Sequence, residues 1–255
     1  PAGPVTDRRD GVLVYYRLAG TPASPPPDKH WQVLRSKTDD PLIRQDRKRI
    51  GQVLNQRIGA GSWADSVAGD MERHYSPGRT WEATARGLVH LLDPGDVLDI
   101  ASGDGVLAEL LAPTASSIVC LDISKRVVEA GQERLRSFRH VKFELGDMHS
   151  LPVKDQSFDT VLLMHALTYT KDPEQVFHEA SRAVRGGGKL LAVTLQRHQH
   201  AKAVEPFNHV NLGFTTGQLE TYCKKAGLAV RSCTVSAIEK RTPNFSVLSL
   251  SAVKS

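Results

Sequence analysis

The sequence predicts an α/β fold, a doubly wound, mostly parallel sheet with helices on both faces, and three observations carry it. From Asp96 onward the runs DVLDIA, SIVCLDI, VKFELGD, FDTVLLMH and KLLAVTL read as short apolar strands. Helices are expected between them near 105–112, 124–137 and 172–185, the rhythm of βαβ crossovers onto a sheet covered on both sides. A last helix near 215–226 precedes LAVRSCTVSAI and FSVLSLSAV, strand-like segments close enough to pair as an antiparallel end of that sheet.

The residues before this body read differently. VTDRRDGVLVYYRLA at 5–19 is expected to form a β-hairpin, with Asp10-Gly11 as its turn and β-branched and aromatic strand formers after it. Pro-rich GTPASPPPD opens a semi-rigid linker. A helix is expected from about Asp39 to Ile58, capped by Thr38 or Asp39 with Pro41 in its first turn. Ile43, Ile50, Val53, Leu54 and Ile58 share one face of it, a packing or dimer stripe, while Arg44, Arg47, Lys48 and Arg49 lie elsewhere. Two shorter helices near 62–75 and 79–92 lead into the body. The expected division is a hairpin at 1–20, a linker at 21–37, a helical connecting or dimerisation segment at 38–92, and the α/β body at 93–255.

Composition limits the function. The 255 residues are 40% hydrophobic and 24% charged, ordinary for a globular protein. No run approaches the roughly 18 apolar residues of a membrane helix, and there is no signal peptide, so a cytoplasmic protein without membrane contact is expected. Cys120, Cys223 and Cys233 lack metal-ligand spacing and read as reduced thiols in or near the core. The net charge of +5 resides in residues 1–60, while the remainder balances to zero. That segment either faces a polyanion such as DNA or is a solvated basic helix, and charge alone favours the second.

VLDIASGDGVL at 97–107 places a small-residue loop between a strand and a helix, where backbone can approach a ligand and the helix start offers N–H donors. Three acids follow the same logic at successive strand ends. Asp122 can accept from both ribose hydroxyls, Asp147 from the exocyclic amine of adenine, and Asp99 either braces the loop or meets an ammonium group. Each acid alone can be a turn or cap residue. Together they sit on the edge where open α/β sheets bind ligands. A dinucleotide fingerprint needs G-x-G-x-x-G, whereas this loop has only Gly103 and Gly105, with Asp104 where a pyrophosphate would come closest. A cofactor without phosphate fits better, and one that joins adenosine to an amino-acid tail is S-adenosylmethionine.

VLDIASGDGVLAELL, VCLDIS, FELGDMHSLPVKDQSFDTVLLMHAL and GGGKLLAVTL, in that order, resemble a class I S-adenosylmethionine-dependent methyltransferase over about residues 60–255. The resemblance implies a seven-stranded sheet with a reversed terminal strand. It also implies that Ser102, Gly103 and Gly105 line the methionine side, with Ala101 in place of the usual first loop glycine. Asp122 and Ile123 would then hold the ribose end, Asp147 and Met148 would flank adenine, and S-adenosylhomocysteine would be the product. DRRDGVLVYYRLA is similar to the wing of ArsR-family winged-helix repressors, some of which carry a methyltransferase domain after the wing. YSPGRTWEA at 75–83 and HQHAKAVEPFNHVNLGF look like that fused group. The likeness implies that Tyr75 and Arg79 approach the cofactor, with an ordinary cap as the alternative for Arg79. It also implies a homodimer, and DNA contact only through a helix-turn-helix that these residues lack.

On the acceptor side, His165 in LLMHAL sits where the family places residues near the transferable methyl, or else it packs as a strand-end His. His198, His200 and His209 are expected to overhang the site as a polar substrate loop rather than as metal ligands. The Asn-Pro-Pro-aromatic signature of amine-methylating enzymes is replaced by MHALTY, which argues against DNA adenine methylation and leaves small-molecule or quinone-like acceptors open. Two functions remain at this point, and neither has an assigned catalytic residue. One is a methyltransferase with a small-molecule acceptor, fused to an ArsR-type regulator. The other is a regulator that senses S-adenosylmethionine or S-adenosylhomocysteine without chemistry.

Overall fold

The structure, a computed structural model, describes residues 5–10, 13–18, 50 and 80–255. Two compact units divide the chain at residues 77 and 78. In the first, β1 (Val5–Asp10) pairs antiparallel with β2 (Leu13–Leu18) from Val5↔Leu18 to Asp10↔Leu13. The expected hairpin is present, but Asp10 belongs to the ladder, which leaves residues 11 and 12 as the connection instead of Asp10-Gly11. The linker, Tyr75, Arg79 and the helices expected at 39–58 and 62–75 lie outside the described residues, apart from a helical Ile50.

The second unit opens with α1 (Trp81–Leu88), capped by the Thr80 side chain, and a short 3-10 turn at Val89–Leu91. Then β3 (Asp96–Ile100), β4 (Ser117–Asp122), β5 (Val141–Leu145), β6 (Phe158–Met164) and β7 (Val184–Leu195) alternate with α2 (Val106–Leu111), α3 (Lys125–Arg134) and α4 (Pro173–Ala183). A short α5 (Ala201–Val204), then α6 (Thr216–Lys225), β8 (Leu228–Ile238) and β9 (Ser246–Lys254) complete it. The seven strands lie in the order β5-β4-β3-β6-β7-β9-β8. The first five pair in parallel, and β9 runs antiparallel to both β7 and β8. The reversed strand is thus last in the chain but second from the edge of the sheet.

Local sequence accounts for these elements. Asp172 caps α4 by accepting from the Gln175 N–H, with Pro173 in the first turn where a missing N–H costs nothing. Thr215 and Gln218 form a reciprocal capping box at the start of α6. In β3 every residue after Asp96 is buried, as a central strand covered on both faces requires. One core cluster lies where α4 and α6 meet the sheet, around Phe177, Leu190, Leu219, Leu248 and Leu250. The other lies under α2 and α3, around Val97, Ile118, Val128, Phe143 and Leu162. Burial of each large side chain stabilises the fold by about 1.5–3 kcal/mol.

Cys120 and Cys223 are buried, and burial pushes both thiols up to about 12, so they pack as protonated apolar groups. Among the described residues no helix is long and apolar enough to cross a membrane.

Candidate active site

The β3–α2 loop folds back over the end of β4. The Ser102 N–H donates to the Leu121 carbonyl at 3.0 Å, and the Gly103 N–H donates to Asp122 Oδ2 at 3.1 Å. Asp122 Oδ1 accepts from the Ser124 N–H at 2.9 Å, so one carboxylate ties the glycine loop to the start of α3. Its remaining lone pairs face a cavity of about 600 Å3 at the carboxyl edge of the sheet. Ala101, Ser102 and Gly103 form one side of this cavity, Asp122 and Ile123 a second, and Asp147 and Met148 a third. Met164, His165 and Tyr169 stand at the remaining side.

Most of the residues expected at the site are thereby brought together, but not all. Gly105 does not line the cavity. It begins α2 at φ 81, and a Cβ there would lie 2.6 Å from Phe143 Cζ, so this glycine serves the loop turn and core packing. Asp99 lies beneath the wall rather than in it and is only 2% exposed. It does not brace the loop by a hydrogen bond among the described residues; Asp122 does that, and Asp99 Oδ1 is buried without a partner. Burial first, then the charge of Asp122, raises the Asp99 carboxyl to about 7. Asp104 points away, paired with Arg134 Nη1 at 3.0 Å, so it does not face the place a phosphate would occupy. Ala101 holds φ 54, the left-handed conformation for which the family uses glycine.

His149 is a residue that strand-end reasoning did not single out. Its backbone N–H donates to Asp147 Oδ1 at 2.9 Å, and its Nδ1 meets the same oxygen at 2.6 Å. Its Nε2 lies 2.6 Å from the buried Thr170 hydroxyl, which accepts from the Asp172 N–H. With Nδ1–H donating to the carboxylate and the Thr170 O–H donating to Nε2, every group in the chain is satisfied. These hydrogen bonds, the backbone one first, hold the Asp147 carboxyl below its usual range. Both contacts fall on Oδ1, so Oδ2 is left for a ligand. The following segment is clamped to α4. Glu179 accepts from the Leu151 N–H, and Arg182 donates to the Leu151 and Val153 carbonyls.

The histidines divide between two places. His165, exposed at the rim with φ 60, is fixed by its N–H to the Val193 carbonyl at 2.7 Å. Burial of its ring lowers its pKa against the opposing pull of Glu239, so it is a neutral imidazole at neutral pH. His209 does not line the cavity, but packs edge-on against Tyr169, which does, with ring centroids 5.2 Å apart. His198 lines a neighbouring cavity instead, stacked against His200 and edge-on to Phe245. Among the described residues no cluster of three or more His, Cys, Asp or Glu is placed to hold a metal ion.

Among the described residues the cavity wall therefore carries two carboxylates, Asp122 and Asp147, with Asp99 behind it, and no lysine or arginine. This field favours a ligand bearing a sulfonium and an ammonium over one bearing pyrophosphate. Asp122 fits a ribose diol, Asp147 Oδ2 fits an adenine amine, and Met148, Met164 and Ile123 supply apolar surface.

Comparison with known proteins agrees. Residues 98–192 match the family model described as a methyltransferase domain. YcgJ from Bacillus subtilis superposes with a TM-score of 0.54 at 17% identity, covering 67% of this chain and 98% of that one. The geranyl diphosphate C-methyltransferase of Streptomyces coelicolor superposes at 0.58 and 16% identity, covering 76% and 82%. The body has the class I methyltransferase fold. A demethylmenaquinone methyltransferase of Thermotoga maritima is 32% identical over 117 residues, 45% of this chain and 50% of that protein. An uncharacterized 37.1 kDa protein in a transposon of Streptomyces fradiae is 35% identical over 103 residues, 38% and 30% of the two chains. The chain spans 30% of the Streptomyces relative's length and about half of the Thermotoga enzyme's.

Proposed function

We propose that this chain transfers the methyl group of S-adenosylmethionine to a small organic acceptor. The observation that carries the reading is a cavity lined, among the described residues, by two carboxylates, Asp122 and Asp147, and by no arginine or lysine. The bound cofactor supplies an electrophilic methyl on a sulfonium. Asp122 and Asp147 would hold the nucleoside, which would leave the methyl end for the side of the cavity formed by Met164, His165 and Tyr169. Methyl transfer is an in-line displacement in which positioning supplies much of the rate. The acceptor heteroatom or carbon bonds to the methyl as the carbon–sulfur bond breaks, and the acceptor's proton is released. His165, neutral and at the rim, is placed to take that proton, and Tyr169, with His209 packed against it, forms the acceptor wall. The quinone and prenyl acceptors in the names of the relatives support a small apolar acceptor.

The finer assignments belong to the same proposal. The β1–β2 pairing supports a wing remnant of an ArsR-type regulator, with any DNA contact made by an element beyond these residues. The cytoplasm and a homodimer fit that assignment. The alternative, a sensor without chemistry, draws on the same hairpin. Parallel calorimetric titrations with S-adenosylmethionine, S-adenosylhomocysteine and NAD test the cofactor. Binding of the two sulfur compounds but not NAD is expected, and failure of both with folded protein overturns the reading. Methylated product formed from a panel of phenols and quinols, and lost in His165→Ala with unchanged cofactor affinity, separates enzyme from sensor.

A further inference from the structure

Beside the cofactor cavity lies a second one, of about 510 Å3, with the opposite electrostatic character. Lys171, Arg197 and His198 line it, and among the described residues no Asp or Glu does. Among the described residues neither Lys171 nor Arg197 takes part in an ion pair. Short hydrogen bonds fix the frame. The Arg197 N–H donates to the Phe214 carbonyl at 2.8 Å and the His198 N–H to the Leu212 carbonyl at 3.0 Å. Asn211 Nδ2 donates to the Leu167 and Thr170 carbonyls at 2.8 and 3.0 Å. Phe214 and Tyr222, edge to face with centroids 6.4 Å apart, supply apolar wall.

His198, in the wall of the cavity, carries an unused donor. Its Nδ1 accepts from the His200 N–H at 3.2 Å, and burial, with the nearby His200 and His209, lowers its pKa. The ring is therefore neutral, with its proton on Nε2, and that N–H is buried with no hydrogen-bond partner. An unused donor of this kind is costly unless a ligand accepts from it. Two cations and a buried N–H, without a carboxylate among them, call for an acceptor-rich anion.

We propose that this cavity binds a small organic anion, a carboxylate or phosphate monoester on an apolar body. Its place identifies the anion as the anchor of the methyl acceptor, because Tyr169 lines the cofactor cavity and the next residue, Thr170, lines this one. Only that last step rests on the methyltransferase reading; the anion site does not.

The test is calorimetric titration of the full chain with phenyl phosphate, benzoate and benzyl alcohol. It is run on the wild type and on Lys171→Gln/Arg197→Gln, with and without saturating S-adenosylhomocysteine. At least one anion is expected to bind, weakened about tenfold or more in the double variant, as loss of charge-assisted hydrogen bonds implies. Benzyl alcohol should not bind, and S-adenosylhomocysteine affinity should be unchanged in the variant. The stronger of the two anions identifies the headgroup. No anion binding to the wild type, unchanged binding to the variant, or equal binding of the alcohol overturns the site. Competition between anion and S-adenosylhomocysteine overturns the anchor role. Anion binding without S-adenosylhomocysteine binding leaves this site standing and removes the methyltransferase reading instead.

Discussion

At the scale of single residues, the proposed cofactor site assigns separable roles to Asp122 and His149. Asp122→Ala should weaken S-adenosylhomocysteine binding by about 1–3 kcal/mol, the scale of a lost charged hydrogen bond, and calorimetry reads it directly. Unchanged affinity would remove the ribose assignment. His149 acts through Asp147. With both of its hydrogen bonds on Oδ1, it leaves Oδ2 free of them, and in the proposed binding mode that oxygen accepts from the adenine amine. His149→Ala should therefore reduce the preference for S-adenosylhomocysteine over S-inosylhomocysteine, which lacks that amine, by about tenfold. A merely structural loss would weaken both ligands equally. Asp122 and Asp147 were legible in the sequence because an acid at a strand's carboxyl end has only one edge to occupy. His149 was not legible, since its meaning depends on Thr170 arriving from a loop 21 residues away. Gly105 was misassigned for the converse reason. A loop glycine looks alike in sequence whether a ligand or Phe143 fills the space beside it.

At the scale of elements, Phe143 of β5 sets how close α2 and α3 approach the sheet. A Cβ added at Gly131, in the middle of α3, would lie 2.1 Å from Phe143 Cε1. In an exposed helix Gly→Ala is favourable by about 1 kcal/mol. Here we expect Gly131→Ala to destabilise by about 1–3 kcal/mol through overpacking, measured by urea unfolding. Combination with Phe143→Leu should recover most of that loss, and strict additivity of the two would show that the ring does not fill the glycine's space. Close packing also explains where strand boundaries departed from the sequence. KLLAVTL was expected alone, yet β7 begins at Val184 and runs through Gly186–Gly188. Against β6 the register passes from Phe158↔Val184 to Thr160↔Lys189, and a Cβ at Gly188 would stand 2.7 Å from Val184 Cγ2 and 2.9 Å from the Asp159 carbonyl, so the glycines form a tight bulge within β7, with Gly187 at φ 77. The apolar runs, and hence sheet and helix order, could be read because both faces of the sheet are buried. The place of β9 between β7 and β8 depends on pairing over a distance that no local pattern encodes.

At a larger scale, three carboxylates, Asp99, Asp122 and Asp147, stand at the carboxyl edge of the sheet, and Asp99 shows what that costs the fold. Its carboxyl is raised from an ordinary 3.8 to about 7, first by burial and then by Asp122. A group whose folded pKa is raised holds its proton more tightly when folded. The stability it provides is complete below pH 3.8 and is lost as pH rises to about 7, by an amount on the order of a few kcal/mol. Asp99→Asn cannot ionise and escapes this loss. The stability advantage of Asp99→Asn over the wild type should therefore grow between pH 4 and 7 and stay level above, as read from urea midpoints across that range. The ligand reverses the sign. A cofactor carrying ammonium and sulfonium charge lowers the potential that keeps Asp99 protonated. Its binding near pH 6.5 should then release a proton from the wild type and none from Asp99→Asn, as calorimetry in buffers of different ionisation enthalpy reports. Parallel stability profiles for the two proteins, or equal proton release, would mean that Asp99 is already charged in the empty site. The apo fold would then carry three ionised carboxylates at one edge without penalty, and the electrostatic case for a cationic ligand would lose its strongest support.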